Sequence, residues 1–168
     1  TRGYGVIQMD YRGSTGYGRE KMMLANHEMG KSMQEDKYDA LFWANEQGYV
    51  DMDNVCISGA SYGGYAAMQA ATKNPELFKC IIAYVGVYDL TSSDLRGLQW
   101  SELSQPMEYI EKGDPKDPED YKNLYANSPL FFAENVEDPV LIITGRRDSQ
   151  VRFQETVDMV NELKKYGK

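Results

Sequence analysis

Four stretches of the chain are nearly unbroken in apolar residues and short enough to be strands: 5–10 (GVIQMD), 54–58 (NVCIS), 80–85 (CIIAYV) and 140–144 (VLIIT). Each is rich in Val and Ile and bounded by Gly, Pro, Asp or Asn, the pattern of parallel strands covered on both faces. Between them the apolar residues return at helical spacing. Residues 33–48 carry Met33, Tyr38, Leu41, Phe42 and Ala44, with Gly48 as a stop. Residues 63–73 are alanine-rich and end at an Asn-Pro pair, and 152–166 place Phe153, Val157, Met159, Val160 and Leu163 on one broad face. Strand and helix alternate, so the pattern predicts an α/β sheet. The stretch 91–127 breaks the rhythm. It is polar, punctuated by Pro and Gly and seeded with Trp100, Tyr109, Tyr121 and Tyr125, which is expected of a lid or binding loop. No internal repeat or low-complexity tract divides the chain, so 1–168 is expected to be a single domain.

Composition narrows the functions this sheet can serve. The 168 residues are 42% hydrophobic with 13 Tyr, enough to build a globular core. No apolar run approaches the ~20 residues of a membrane span, and no signal peptide opens the sequence. A membrane partner is not expected, and the cytoplasm is favoured without the compartment being fixed. The formal charge is −8 with the basic residues scattered, which argues against nucleic acid. Cys56 and Cys80 both sit inside apolar runs and are expected to be buried, reduced packing residues rather than a disulfide. They lack CxxC spacing and have no nearby histidine, so no metal and no cofactor are expected. The GKS at 30–32 needs a glycine where Ala25 stands to read as a P-loop, and GSTGYG at 13–18 departs from G-x-G-x-x-G.

One motif carries chemistry. Gly59-Ala60-Ser61-Tyr62-Gly63 is G-x-S-x-G, preceded by a strand and followed by a helix, the setting of a nucleophile elbow. The serine of such a turn is strained, and small residues two before and two after it relieve backbone crowding. Ser61 is therefore the candidate nucleophile, and the Tyr62 N–H at the helix start a candidate oxyanion donor. A nucleophilic serine also needs a base and an acid to orient that base. Asp148 is the favoured acid, delivered on a loop after the fourth strand; Asp89, after the third, is the competitor and reads otherwise as a turn or cap residue. The base is the difficulty. The single histidine, His27, precedes the serine, whereas in a G-x-S-x-G hydrolase the order is Ser, Asp, His. His27 is expected on the surface and outside the chemistry.

Taken together, YRGSTGYGRE (11–20), GASYGGY (59–65), SPL (128–130) and VLIITGRRDSQVRFQE (140–155) resemble the prolyl oligopeptidase family of serine peptidases, in particular its acylaminoacyl-peptidase and dipeptidyl-peptidase-like branch. The resemblance runs along nearly the whole chain. It implies an α/β-hydrolase-type parallel sheet, here truncated at both ends to about four core strands with flanking helices, and hydrolysis of short peptides or acylated amino acids through an acyl-enzyme. It assigns Ser61 as nucleophile, Tyr62 N–H as oxyanion donor, Asp148 as triad acid and Gln150 as a polar contact to a substrate carbonyl.

Several family features lie outside these residues. The catalytic histidine is expected a few tens of residues beyond the aspartate, and the loop completing the oxyanion hole upstream of residue 1. The aromatic wall of a proline-type pocket is not evident, since Tyr88 is followed by small polar residues. In the family order a further strand lies between the first and second strands found here. Its absence predicts either a closed-up four-stranded sheet or association, even a swapped homo-oligomer, through open sheet edges. Besides a peptide substrate, a small ester fits the same scaffold, so a carboxylesterase is the alternative enzyme. A catalytically silent fragment or pseudoenzyme acting by association is the alternative outside enzymes.

Overall fold

The computed structural model describes residues 3–92 and 110–168. Three parallel strands, β1 (Cys56–Ala60), β2 (Cys80–Tyr84) and β3 (Val140–Ile143), form one sheet in the order β1-β2-β3. Helices α1 (Arg19–Met23), α2 (Ser32–Glu46), α3 (Tyr62–Lys73), α4 (Pro118–Ala126) and α5 (Phe153–Lys165) accompany them. Alternation along the strands decides what the sheet buries. Ile57, Ile81, Ala83, Val140 and Ile142 point to one face, where Ala67, Met68 and Ala71 of α3 and Met159 and Leu163 of α5 cover them. The small residues of α3 let that helix lie close against β1 and β2. Leu41 of α2 packs on Ala70 and Phe78, which places α2 outside α3. On the other face Tyr84, Leu141 and Ile143 are exposed.

Three expectations are corrected. The segment 5–10 forms no strand: it lies unpaired, with Val6 and Ile7 exposed, so the sheet has three strands among the described residues rather than about four, and it has not closed up. An apolar run becomes a strand only where it pairs with a neighbour, and 5–10 pairs with neither of the two outer strands, β1 and β3. Cys56 and Cys80 are not buried, reduced packing residues but a disulfide, with Cys56 exposed and Cys80 half-buried. Register explains this: the parallel ladder sets Cys56 opposite Cys80 with Cα atoms 4.7 Å apart, inside the range a disulfide spans. Phe42, expected to pack, is exposed on the outer side of α2.

The stretch 91–127 is partly described. Residues 93–109 lie outside the described residues, and residues 118–126 form α4. Asp117 caps that helix by accepting from the N–H of Glu119 and Asp120, and Pro118 opens it, an Asp-Pro start signal that the polar composition obscured. After it, Asn127 and Ser128 are buried anchors: Tyr65 Oη donates to Asn127 O at 2.9 Å, and Ser128 Oγ accepts from Leu90 N and donates to Leu124 O. No described helix is long and apolar enough to cross a membrane.

Candidate active site

Ser61 stands between the last residue of β1 and the first of α3, with φ 55° and ψ −117°. A non-glycine residue in that region stores strain, and its surroundings hold it there. Its N–H donates to Tyr84 O at 2.9 Å across the sheet, and its carbonyl accepts from Tyr65 N at 3.1 Å as α3 begins. The chain reverses so tightly that a Cβ on Gly59 would lie 2.5 Å from the carbonyl carbon and oxygen of Gly63. One turn on, a Cβ on Gly64 would lie 2.5 Å from Tyr84 O. Backbone thus occupies the space where side chains would be, and the Ser61 side chain is left exposed at the carboxyl edge of the sheet. As the first residue of α3, Tyr62 has an N–H with no intrahelical acceptor, pointing to the side where the helix dipole favours negative charge.

Val85, just past β2, is also strained, with φ 47°, and its N–H donates to Ile143 O at 2.8 Å. A β-branched residue in the left-handed region is rare. Nothing in the sequence announced it, although the following Gly86 hinted at crowding: a Cβ there would meet Gly64 and Tyr65 backbone within 2.8 Å.

Asp148 lies on the loop between β3 and α5. Its Oδ1 accepts from the N–H groups of Gln150 and Val151, both at 2.8 Å, and these bonds hold the carboxyl below its usual range. Gln150 is exposed beside it. Ser61 and Asp148 therefore leave the same edge of the sheet from strands two places apart, about 10 Å by strand spacing. The competitor Asp89 is engaged locally, its Oδ1 accepting from Thr91 N and Thr91 Oγ1 at 2.9 and 2.6 Å. His27 sits elsewhere, with Nδ1 3.4 Å from Asp120 Oδ1 and its side chain half exposed. Tyr88 is wholly buried in the core and presents no wall to a substrate.

Sequence reasoning missed Glu155. This buried carboxylate on α5 accepts from Tyr88 N and Asp89 N at 3.0 and 3.3 Å, tying the loop after β2 to the helix that follows Asp148. Burial pushes it up from the ordinary carboxylate value. Its only sequence signal was an acidic residue on the apolar side of α5. Among the described residues, no group of three His, Cys, Asp or Glu side chains is placed to hold a metal ion.

A strained serine between a parallel strand and a helix is the geometry of α/β-hydrolases, and comparison with known proteins agrees. The model of the prolyl oligopeptidase family matches residues 1–168. The chain belongs to the prolyl oligopeptidase family. Within it, the chain is 35% identical over 166 residues to dipeptidyl peptidase family member 6 of Caenorhabditis elegans, covering 98% of this chain and 22% of that protein. It is 34% identical to dipeptidyl aminopeptidase BIII of Pseudoxanthomonas mexicana, covering 96% of this chain and 24% of that one. The solved acylaminoacyl peptidase of Pyrococcus horikoshii superposes with a TM-score of 0.80 at 27% identity, over 94% of this chain and 25% of that one. The family is one of serine peptidases on the α/β-hydrolase fold, and this chain spans about a quarter of the length of the relatives it matches.

Proposed function

We propose that the protein carrying this chain is a serine hydrolase that cleaves short peptides or acylated amino acids through an acyl-enzyme on Ser61. The observation that carries the reading is the strained, exposed Ser61 at the β1–α3 turn. In this reading a base removes the Ser61 Oγ proton as Oγ attacks the substrate carbonyl. The carbonyl oxygen, now negative, takes the Tyr62 N–H, a donor already aimed before the reaction begins. The base then passes its proton to the leaving amine. Water repeats the sequence on the acyl-enzyme and frees Ser61. Asp148, ionised at neutral pH and two strands away, orients the base from the far side, and Gln150 offers a polar contact to the substrate.

The base is not His27, whose ring faces Asp120. The 168 residues alone are therefore expected to react far more slowly than a complete triad, on the order of 10⁶-fold in kcat. The names of the relatives support dipeptidyl and acylaminoacyl substrates as the first to try. The test is turnover of chromogenic dipeptidyl amides, N-acylated amino-acid amides and matching esters by the protein that carries this chain. Amide cleavage lost in Ser61→Ala is expected. Cleavage of esters alone makes it an esterase instead, and amide cleavage that survives Ser61→Ala overturns the assignment.

A further inference from the structure

The motif YRGSTGYG has no part in the chemistry above, yet its first two residues reach the elbow. Arg12 is clasped to Asp36 of α2 by three bonds: Nε and the backbone N–H to Oδ2, both at 2.9 Å, and Nη2 to Oδ1 at 2.6 Å. This fixes the preceding Tyr11 ring 5.6 Å from the Tyr62 ring, centroid to centroid. The Lys37 ammonium, next to Asp36 on α2, lies 4.0 Å from the Tyr11 ring centre and 5.2 Å from that of Tyr62. Tyr65 closes the other side of Tyr62, with centroids 5.5 Å apart. The Tyr62 hydroxyl is buried without a hydrogen-bond partner among the described residues, and its side chain is held by these rings, the cation and packing against the cluster of Tyr65, Ala66, Leu90 and Leu124.

We propose that Lys37 is a positioning residue for the oxyanion donor, holding Tyr62 through cation–π contact with the Tyr11 and Tyr62 rings. The proposal rests on the reading of Tyr62 N–H as that donor. A cation over an aromatic face is attracted by the ring quadrupole, more strongly once desolvated, and an uncharged amine is not. The contact therefore has an off state. Burial, partly opposed by Asp36, brings the Lys37 amine down to about 8. The other groups facing it do not change charge there. Burial raises the phenols of Tyr11 and Tyr62. Arg12 holds Asp36 below the usual carboxylate range, and Asp36 in turn raises Arg12. Lys37 is thus the member of the cluster that titrates near neutrality, and losing its proton releases the grip on the residue next to Ser61.

The test needs no reaction, so it can fail independently of the hydrolase reading. The Tyr62 Cα and ring-carbon signals are followed by NMR in the protein that carries this chain, with ¹³C-labelled tyrosine, from about pH 6 to about 10, and assigned by comparison with Tyr62→Phe. In wild type they are expected to shift with a midpoint near 8. Lys37→Arg, which keeps a cation at all these pH values, is expected to hold the low-pH positions with that midpoint gone. Lys37→Met is expected to show the high-pH positions throughout. Tyr62 signals that stay flat in wild type overturn the proposal even if a variant fails to fold. A midpoint near 8 that persists in Lys37→Arg overturns it as well.

Discussion

Three glycines of GASYGG look alike in sequence, but the structure gives their alanine substitutions opposite signs. At Gly59 a Cβ would lie 2.5 Å from the Gly63 carbonyl carbon and oxygen and 2.7 Å from its Cα. At Gly64 it would lie 2.5 Å from Tyr84 O and 2.9 Å from Gly86 N. These obstacles are backbone and cannot rotate away, so strand and helix must part by close to an ångström. Overpacking of this kind costs about 1–3 kcal/mol, and backbone against backbone falls at the upper end. For a chain of this length about 3 kcal/mol lowers Tm by roughly 6–12 °C. At Gly63 a Cβ meets nothing within 4 Å. Inside a helix, alanine there gains about 0.5–1 kcal/mol by restricting the unfolded chain, raising Tm by roughly 1–4 °C. Thermal unfolding by circular dichroism of the three variants measures this. If Gly63→Ala destabilises as much as Gly59→Ala, or if Gly59→Ala leaves Tm unchanged, the elbow is not built as described.

Three further predictions concern the frame around the elbow. The Cys56–Cys80 bond closes a 24-residue separation, worth about 3.5 kcal/mol by chain entropy, so reductant or Cys56→Ser lowers Tm by roughly 7–14 °C; two titratable thiols in the untreated native chain contradict this. Glu155→Ala leaves the buried N–H of Tyr88 without its acceptor and costs about 1–3 kcal/mol, whereas Glu155→Gln keeps an acceptor oxygen and costs less; equal losses in denaturant melts would remove its role as a hydrogen-bonded tie. Because the folded Asp148 carboxyl titrates below its unfolded value, the support it gives Gln150 and Val151 is complete above about pH 3.9 and is lost as pH falls through the lower folded value. The Val151 amide shift should therefore titrate with a midpoint below about 3.9, and a midpoint at or above it refutes the clasp.

What the sequence made legible was whatever local pattern settles. The three paired strands, the three long helices and the strand–serine–helix junction all followed from apolar periodicity and glycine spacing. What it hid depends on neighbours. The run at 5–10 has the composition of a core strand, but composition does not decide whether it pairs with an edge strand. Cys56 and Cys80 become partners through strand register, which their separation of 24 in sequence does not reveal. The apolar strands promised cover on both faces, yet Leu141 and Ile143 are exposed on one. The places of Ser61 at the β1–α3 turn and of Asp148 on the loop after β3 were readable from motif and spacing. The strain of Val85, the tie of Glu155 and the contacts of Lys37 were not, because they lie in a dihedral angle, a buried pair of N–H groups and two rings from distant segments.

The account stands most directly on Ser61 as an activated nucleophile, and covalent capture reads that property. A fluorophosphonate is incubated with the protein that carries this chain, alongside its Ser61→Ala variant, and the adduct is located by intact mass and peptide mapping. One phosphonyl group on Ser61, absent from Ser61→Ala, is the predicted result. A protein that stays unlabelled, or one labelled at another residue with Ser61→Ala labelled equally, would contradict the assignment of the β1–α3 turn as its catalytic centre.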